Sequence, residues 1–284
     1  MNNSIAPRLW NHLQRAVVLT AALVGIISIA HATNKTAVPG GVYAWAVPEN
    51  SENVRFTGRP VFIAGDTALV GIPIQQNLGN ATLTFMQQGQ GRTHTFEIVD
   101  KRYTEQRITL KNQEMVTPNP QQLERIRAES KRQRAIYTRV SKAIDLSAGF
   151  TMPLQGRTTS LFGHRRFFND QPRSPHSGLD IAAPTGTPIT APAPGTVALV
   201  DDLYYNGKTV FLDHGQGLIT MYCHLSEQSV TTGQVVKQNQ QIGLVGATGR
   251  VTGPHLHWSV SLNGYRIDPL TFRSALADAV GLQP

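Results

Sequence analysis

The chain has 284 residues and carries 26 Lys and Arg against 18 Asp and Glu, a formal net charge of +8. Apolar residues make up 40% of it and charged residues only 15%, which excludes an intrinsically disordered chain and fits a packed globular one. The one cysteine, Cys223, excludes an intrachain disulfide, so the fold must rest on a hydrophobic core.

Arg8 and Arg15 precede an apolar run over residues 16–30, and Ala30-His31-Ala32 then offers an A-x-A cleavage pattern. Residues 1–32 therefore read as a signal peptide, with the mature chain starting near Thr33. The apolar run is shorter than the ~20 residues of a membrane span; if retained it would act as an N-terminal anchor. The expectation is an exported protein of the periplasm, in the cell envelope, with no integral membrane span after cleavage. Arg8 and Arg15 are the only charges of that segment, so the +8 falls by two to +6 for residues 33–284. A basic exported chain suits an anionic envelope polymer. Nucleic acid is not expected as a partner, because no recognition motif is present and export argues against it.

Residues 33–115 predict a small N-terminal β domain. Stretches at 59–64, 67–73, 81–87, 93–99 and 107–110 are rich in β-formers and separated by turn residues, the texture of a sandwich or barrel. His94 stands alone there, and nothing in this block marks a plug for a distant groove. Two prolines in TPNPQQ (117–122) end the pattern and open a linker, 116–147, with a polar basic helix expected over 121–144. Residues 119–145 hold seven Lys and Arg against three Asp and Glu. The helix is either a docking surface for an anionic partner or a linker packed through Leu123, Ile126, Ile136, Val140 and Ile144.

A second β-rich domain is expected over 148–273, followed by a short tail, 274–284. Its turns carry Gly or Pro, and residues 196–200, 209–213, 218–224 and 255–262 between them are strand-like. The fold class is mainly β.

Three clusters in this region carry chemistry. In His255-Leu256-His257, alternation on a strand puts both imidazoles on one face. Both could ligate one metal, or one could ligate while the other contacts water. In PHSGLD (175–180), His176 and Asp180 suit Zn²⁺ if the backbone bends between them, which Gly178 permits; otherwise Asp180 caps a turn. In Tyr222-Cys223-His224-Leu225, adjacent residues on opposite faces argue against a Cys–His dyad, and Cys223 reads as buried and inert. Catalytic zinc usually has three protein ligands and one open position, whereas structural zinc is closed by four, often with several Cys. With a single cysteine, a zinc here would be catalytic.

The ordered set HSGLD (176–180), YCHL (222–225) and GPHLHW (253–258), within residues 150–272, resembles the lysostaphin-type zinc endopeptidases of the M23 family, also called the LytM domain. The resemblance implies an antiparallel β-sheet catalytic domain with one Zn²⁺ per chain, held by His176, Asp180 and His257. It implies His255 as general base on water, and His224 as a donor to the oxyanion or as the group that orients the water. It further implies peptidoglycan as substrate and partner, the bond being the D-amino-acid cross-link of a DD-endopeptidase; no protein partner is indicated. Some members lose ligands and become non-catalytic activators of other cell-wall hydrolases, but all five positions are present here. Arg165, Arg166 and Asn169 would either grip stem-peptide carboxylates or anchor their own loop. The N-terminal block resembles the small β domain that precedes the catalytic domain in many periplasmic members. Two positions depart from the family: Cys223 stands where alanine is common, and Gln238-Asn239-Gln240 stands where a turn glycine is usual. Asn239 is expected to take the left-handed conformation in its place.

Overall fold

The computed structural model describes Met1 and residues 35–282. The expected signal peptide lies, apart from Met1, outside the described residues.

The first block folds as two β-sheets face to face. One has five strands in the order Thr36–Ala37, Gln90–Ile98, Gly79–Gln87, Ser51–Phe56, Arg59–Pro60; the other has three, Val42–Ala46, Thr67–Gly71, Phe62–Ala64. Alternate residues of Gly79–Gln87 are buried, so Ala81, Leu83 and Phe85 reach the core with Tyr43, Trp45, Phe56 and Phe96. Tyr43 stacks on Phe96 with ring centroids 3.9 Å apart. His94 accepts or donates to Tyr43 Oη at 2.7 Å and stacks on Trp45, so it has a structural role.

The three-stranded sheet is buried on both faces, and Thr67–Gly71 is buried along its whole length. Its second face packs through Phe62 and Leu69 against Leu262, Phe272 and Leu276 of the C-terminal region. The two regions thus share apolar core. Residues 274–284, expected as a tail, begin inside helix α2 (Pro269–Ala279). Asp268 caps that helix, Pro269 fits its first turn, and Phe272 and Leu276 enter the core one turn apart.

Helix α1 (Pro120–Tyr137) begins at a capping box between Asn119 and Gln122. It stops seven residues short of the expected end. Thr138 Oγ1 bonds back to Arg134 O, and Ser141 Oγ donates to Asp213 Oδ1, so the chain leaves the helix to follow the sheet. The expected packing stripe is used only in part: Ile136 is buried and Ile144 packs against the core, but Leu123 and Val140 are exposed. Besides Ile136 the helix buries Glu129 and Tyr137. Glu129 accepts from Arg125 Nε and from Tyr204 N, and Tyr137 packs edge-on to Phe211.

The C-terminal sheet runs Arg157–Ser160, Leu179–Ala182, His255–Leu262, Ile219–Gln228, Gly207–Asp213, Gly195–Leu203, Val235–Val236, with antiparallel neighbours. Leu179, Ile181, Tyr222, Trp258 and Val260 fill one face, while Ile219, Met221 and Cys223 on the other face lie under α1 with Ile136 and Tyr137. Asn239 has φ 64°, the left-handed turn expected of it. One strand expected in the N-terminal domain pairs elsewhere: Glu105–Ile108 lies parallel to Arg165–Phe168 of the C-terminal region. Among the described residues, no helix is long and apolar enough to cross a membrane.

Asn263 joins the two regions. Its buried amide accepts from Gly71 N at 2.7 Å and donates to Gly71 O at 3.0 Å. Asn263→Ala leaves both backbone groups without partners, and a loss of ~2–4 kcal/mol is expected in urea denaturation. His214 is a second buried polar group, bound to Pro194 O at 2.7 Å and to Thr220 Oγ1 at 2.8 Å. Burial pushes its pKa from 6.5 down to about 4. Between those values the unfolded chain takes up a proton that the folded one refuses, so stability is full above pH 6.5 and falls as the pH drops toward 4. The expected loss from this group is ~3 kcal/mol. Denaturation midpoints at pH 7 and 4.5 measure it, and His214→Gln should flatten the slope.

Candidate metal centre

Strand register brings the first two candidate ligands together. Leu179–Ala182 pairs with His255–Leu262 so that Asp180 opposes His257 and Ala182 opposes His255. Directly opposed residues share a face and lie close enough for their side chains to meet. His176 arrives from the loop before Leu179. A Cβ at Gly178 would collide with the Trp258 carbonyl oxygen. Close backbone approach, more than freedom of φ, requires glycine at the bend.

His224 reaches the same face by breaking a rule. Tyr222 and Cys223 oppose Trp258 and His257. Regular alternation after Cys223 would send His224 toward the Tyr222 side. Instead His224 takes φ 65°, a left-handed conformation uncommon for a residue with a side chain. Its amide is held by Asn206 O at 2.8 Å, and its ring comes to 4.8 Å from that of His255 and 6.1 Å from that of His257. Cys223 itself is buried, with Asn206 Nδ2 3.0 Å from its sulfur, and burial pushes its thiol up to about 12, so it is inert.

Three atoms converge. His176 Nε2 lies 2.9 Å from Asp180 Oδ1 and 3.0 Å from His257 Nδ1, and His257 Nδ1 lies 2.7 Å from the same oxygen. The neighbours assign the tautomers. His176 Nδ1–H donates to Leu161 O at 2.6 Å. Ser259 Oγ donates its proton to Ser177 O and accepts from His257 Nε2–H at 3.0 Å. Each ring therefore turns an unprotonated nitrogen toward the other and toward a carboxylate oxygen. That donor set fits a divalent cation such as zinc: two imidazole nitrogens and a carboxylate, each imidazole fixed by a partner on its other nitrogen. Asp180 Oδ2 points away from the cluster and accepts from Arg166 Nη2 at 2.7 Å.

Electrostatics agree. Burial works against the Asp180 carboxylate, but His176 and His257 hold its pKa well below the usual value. Burial pushes His257 down to about 4, and burial together with His255 and His257 pushes His224 well below its usual value. At neutral pH the carboxylate is charged and these two imidazoles are neutral, as ligation and proton acceptance both need.

The expected substrate residues fall in three places. Arg166 bonds Asp180, Ser160 and Gln106. Arg165 is exposed and pairs with Glu105 at 2.7 Å. Asn169 binds both backbone groups of Leu110, so its amide anchors the loop. A cavity of ≈ 330 Å³ beside the cluster is lined by Asp180, His224, His255, Arg166, Arg250 and Gln106. Gln106 was not foreseen from the sequence; its Oε1 holds both Arg166 Nε and Ser160 Oγ, and no local pattern ties it to a ligand dozens of residues away.

The model of Peptidase family M23 matches residues 174–269. A Pseudomonas aeruginosa crystal structure, described as an M23 peptidase, is 38% identical and superposes with a TM-score of 0.68 over 84% of this chain and 95% of that one. The chain belongs to peptidase family M23, a family of zinc-dependent metallopeptidases. It is also similar to two Vibrio cholerae proteins. It is 47% identical over 96 residues to the peptidoglycan DD-endopeptidase ShyC, which is 34% of this chain and 22% of that one. It is 39% identical over 125 residues to the peptidoglycan DD-endopeptidase ShyA, which is 44% of this chain and 29% of that one. The match thus spans less than a third of either Vibrio protein.

Groups that orient a ligating carboxylate usually contribute ~10–100-fold to metal affinity. Arg166→Gln is therefore expected to weaken zinc binding by that factor, read by competition with a coloured chelator; unchanged affinity would show that Asp180 needs no such support.

Proposed function

We propose that the chain is a zinc-dependent endopeptidase that hydrolyses peptide cross-links in peptidoglycan, at the D-amino-acid bond between stem peptides. The observation that carries this reading is the facing pair of unprotonated nitrogens on His176 and His257 beside Asp180 Oδ1, with two more imidazoles on the same rim. The Vibrio relatives named as peptidoglycan DD-endopeptidases support the choice of polymer and bond. Export through residues 1–32 would bring the chain to that polymer in the periplasm, and the positive charge of 33–284 suits it.

His176, Asp180 and His257 would hold a zinc ion, which would supply Lewis-acid chemistry toward a water and a carbonyl. The chain's own residues do the rest. His255 Nδ1–H donates to Gly253 O at 2.8 Å, which leaves Nε2 as a proton acceptor at the rim, 4.0 Å from Asp180 Oδ1. That nitrogen takes a proton from the attacking water and returns it to the departing amine. His224 Nδ1–H donates to Thr248 O at 2.8 Å. Its Nε2 is then also an acceptor, and its depressed pKa opposes a proton there. Of the two roles expected for His224, aiming the attacking water fits this geometry better than donating to an oxyanion. The left-handed φ of His224 supports the same role, because strain of this kind is kept where a side chain must be aimed.

The test is digestion of purified sacculi by the zinc-loaded protein, with products assigned by mass. Loss of cross-linked dimers and gain of monomers is expected. His255→Ala should cut turnover by ~10²–10⁴-fold while zinc content stays at one per chain. Intact dimers after prolonged digestion, with zinc bound, would sink the reading.

A further inference from the structure

A second cavity, ≈ 510 Å³, has His176, His224 and His257 in its lining. It is lined by the last two turns of α1, with Gln133, Arg134 and Tyr137, and by the 173–177 loop and Arg266. Five arginines line it and no Asp or Glu does. Arg166 alone among them has a carboxylate partner recorded, Asp180. Arg173 donates to the carbonyls of Pro172 and Val116 and to the amide oxygen of Gln171. Arg250 lies between the rings of Tyr205 and Phe168, at 4.0 and 4.4 Å, and reaches Met115 O. Arg266 reaches Ser177 Oγ and lies over Tyr137.

Rings, carbonyls and a hydroxyl hold these side chains in position but do not neutralise them. Arg173 and Arg250 are half-buried; cations crowded there without anions are costly, and an anion that enters is correspondingly favoured. Guanidinium groups suit a carboxylate in particular, because they can bind it through two parallel hydrogen bonds. Arg250 shows the strain: burial, with Arg166 and Arg173 adding to it, brings its pKa down to about 10. The pocket shares three histidines with the metal centre, so an anion held there would lie beside a peptide bound at those histidines.

We propose that this pocket is a subsite for a free carboxylate of the peptide substrate, with Arg173 and Arg250 as its floor and Arg134 and Arg266 as its rim. The proposal rests on the peptidoglycan-peptidase reading and narrows it: the preferred substrate is a stem peptide in the free-acid form, and amidation of its carboxylates weakens binding. It also gives the basic face of α1 a use, since Arg134 faces this pocket from the helix's final turn.

The test uses the full zinc-loaded chain carrying His255→Ala, so that nothing is cleaved. Calorimetry compares a soluble cross-linked stem-peptide dimer in free-acid and fully amidated forms. The free acid should bind ~10-fold tighter or more, with a gap that shrinks as salt is raised. Adding Arg134→Gln and Arg266→Gln, both at exposed positions, should abolish the gap while leaving the fold intact. Equal affinity for the two forms, no binding of either, or a gap that survives the double substitution overturns the proposal. A gap without any cleavage of sacculi by the unsubstituted chain would retain the subsite and sink the peptidase reading. Cleavage without a gap would do the reverse.

Discussion

Two imidazole nitrogens face each other at 3.0 Å with a carboxylate oxygen within 2.9 Å of both. Either nitrogen could be satisfied by a proton, but Leu161 O and Ser259 Oγ already draw the ring protons to the far sides. Burial then resists a second proton on His257. What remains is a buried knot of lone pairs and negative charge that only a cation relieves. The local backbone, from the Gly178 bend to the opposed register of Asp180 and His257, is shaped to hold that knot. Arg166 steadies the carboxylate from its free side without competing for the inner oxygen.

The same constraint explains why four histidines in one site do different work. His176 and His257 have their second nitrogens tied to groups inside the fold, and their free nitrogens meet. His224 and His255 have Nδ1 tied to backbone carbonyls of the 246–254 turn, Thr248 and Gly253. Their free nitrogens therefore look outward to the cavity. One tautomer rule thus divides the four rings into a pair whose free nitrogens face each other and a pair whose free nitrogens face the cavity, the division that the proposed roles of ligand and proton acceptor require. His224 needs a left-handed backbone to join this arrangement. Its aim is thereby set by main-chain geometry, which is stiffer than a choice of rotamer.

Much of this site was legible in the sequence, for a physical reason. His255 and His257 are two apart on a strand, and alternation alone puts them on one face. The HSGLD, YCHL and GPHLHW segments are short, so each fixes its own residues almost regardless of the rest. Cys223 is inert as expected, but through burial and not because His224 faces away from it. His224 did not obey the alternation, because no residue type signals a left-handed φ at a histidine. Elements held by distant partners were the least legible. Helix α1 ends where Tyr137 meets Phe211 and Ser141 meets Asp213, contacts some seventy residues away in sequence. Val140 looked like part of a packing stripe because helical periodicity was carried past that end, whereas Leu123 lies within the helix and is exposed all the same. The 107–110 stretch read as a strand, but its parallel partner at 165–168 has no sequence signal. The helix that runs into 274–284 starts earlier, at the Asp268 cap, and its Phe272–Leu276 spacing straddles the boundary at which the tail was expected.

Those distant pairings bear on how the two regions work together. Glu105–Ile108 leaves the N-terminal sheets and becomes an edge strand against Arg165–Phe168. From there Gln106 holds Arg166 and Ser160, which in turn touch Asp180 and His176. Ile108 and Leu110 line the cavity beside His255, and α1 lines the arginine pocket. The segment between the regions is thus part of the groove rather than a tether or a plug. A chain cut back to residue 146 would keep every ligand, yet it would lose the support behind Arg166 and a wall from each cavity. Latency imposed by the N-terminal region would require that region to leave, and in this fold its departure would take groove walls with it. The geometry favours a preceding domain that completes the groove.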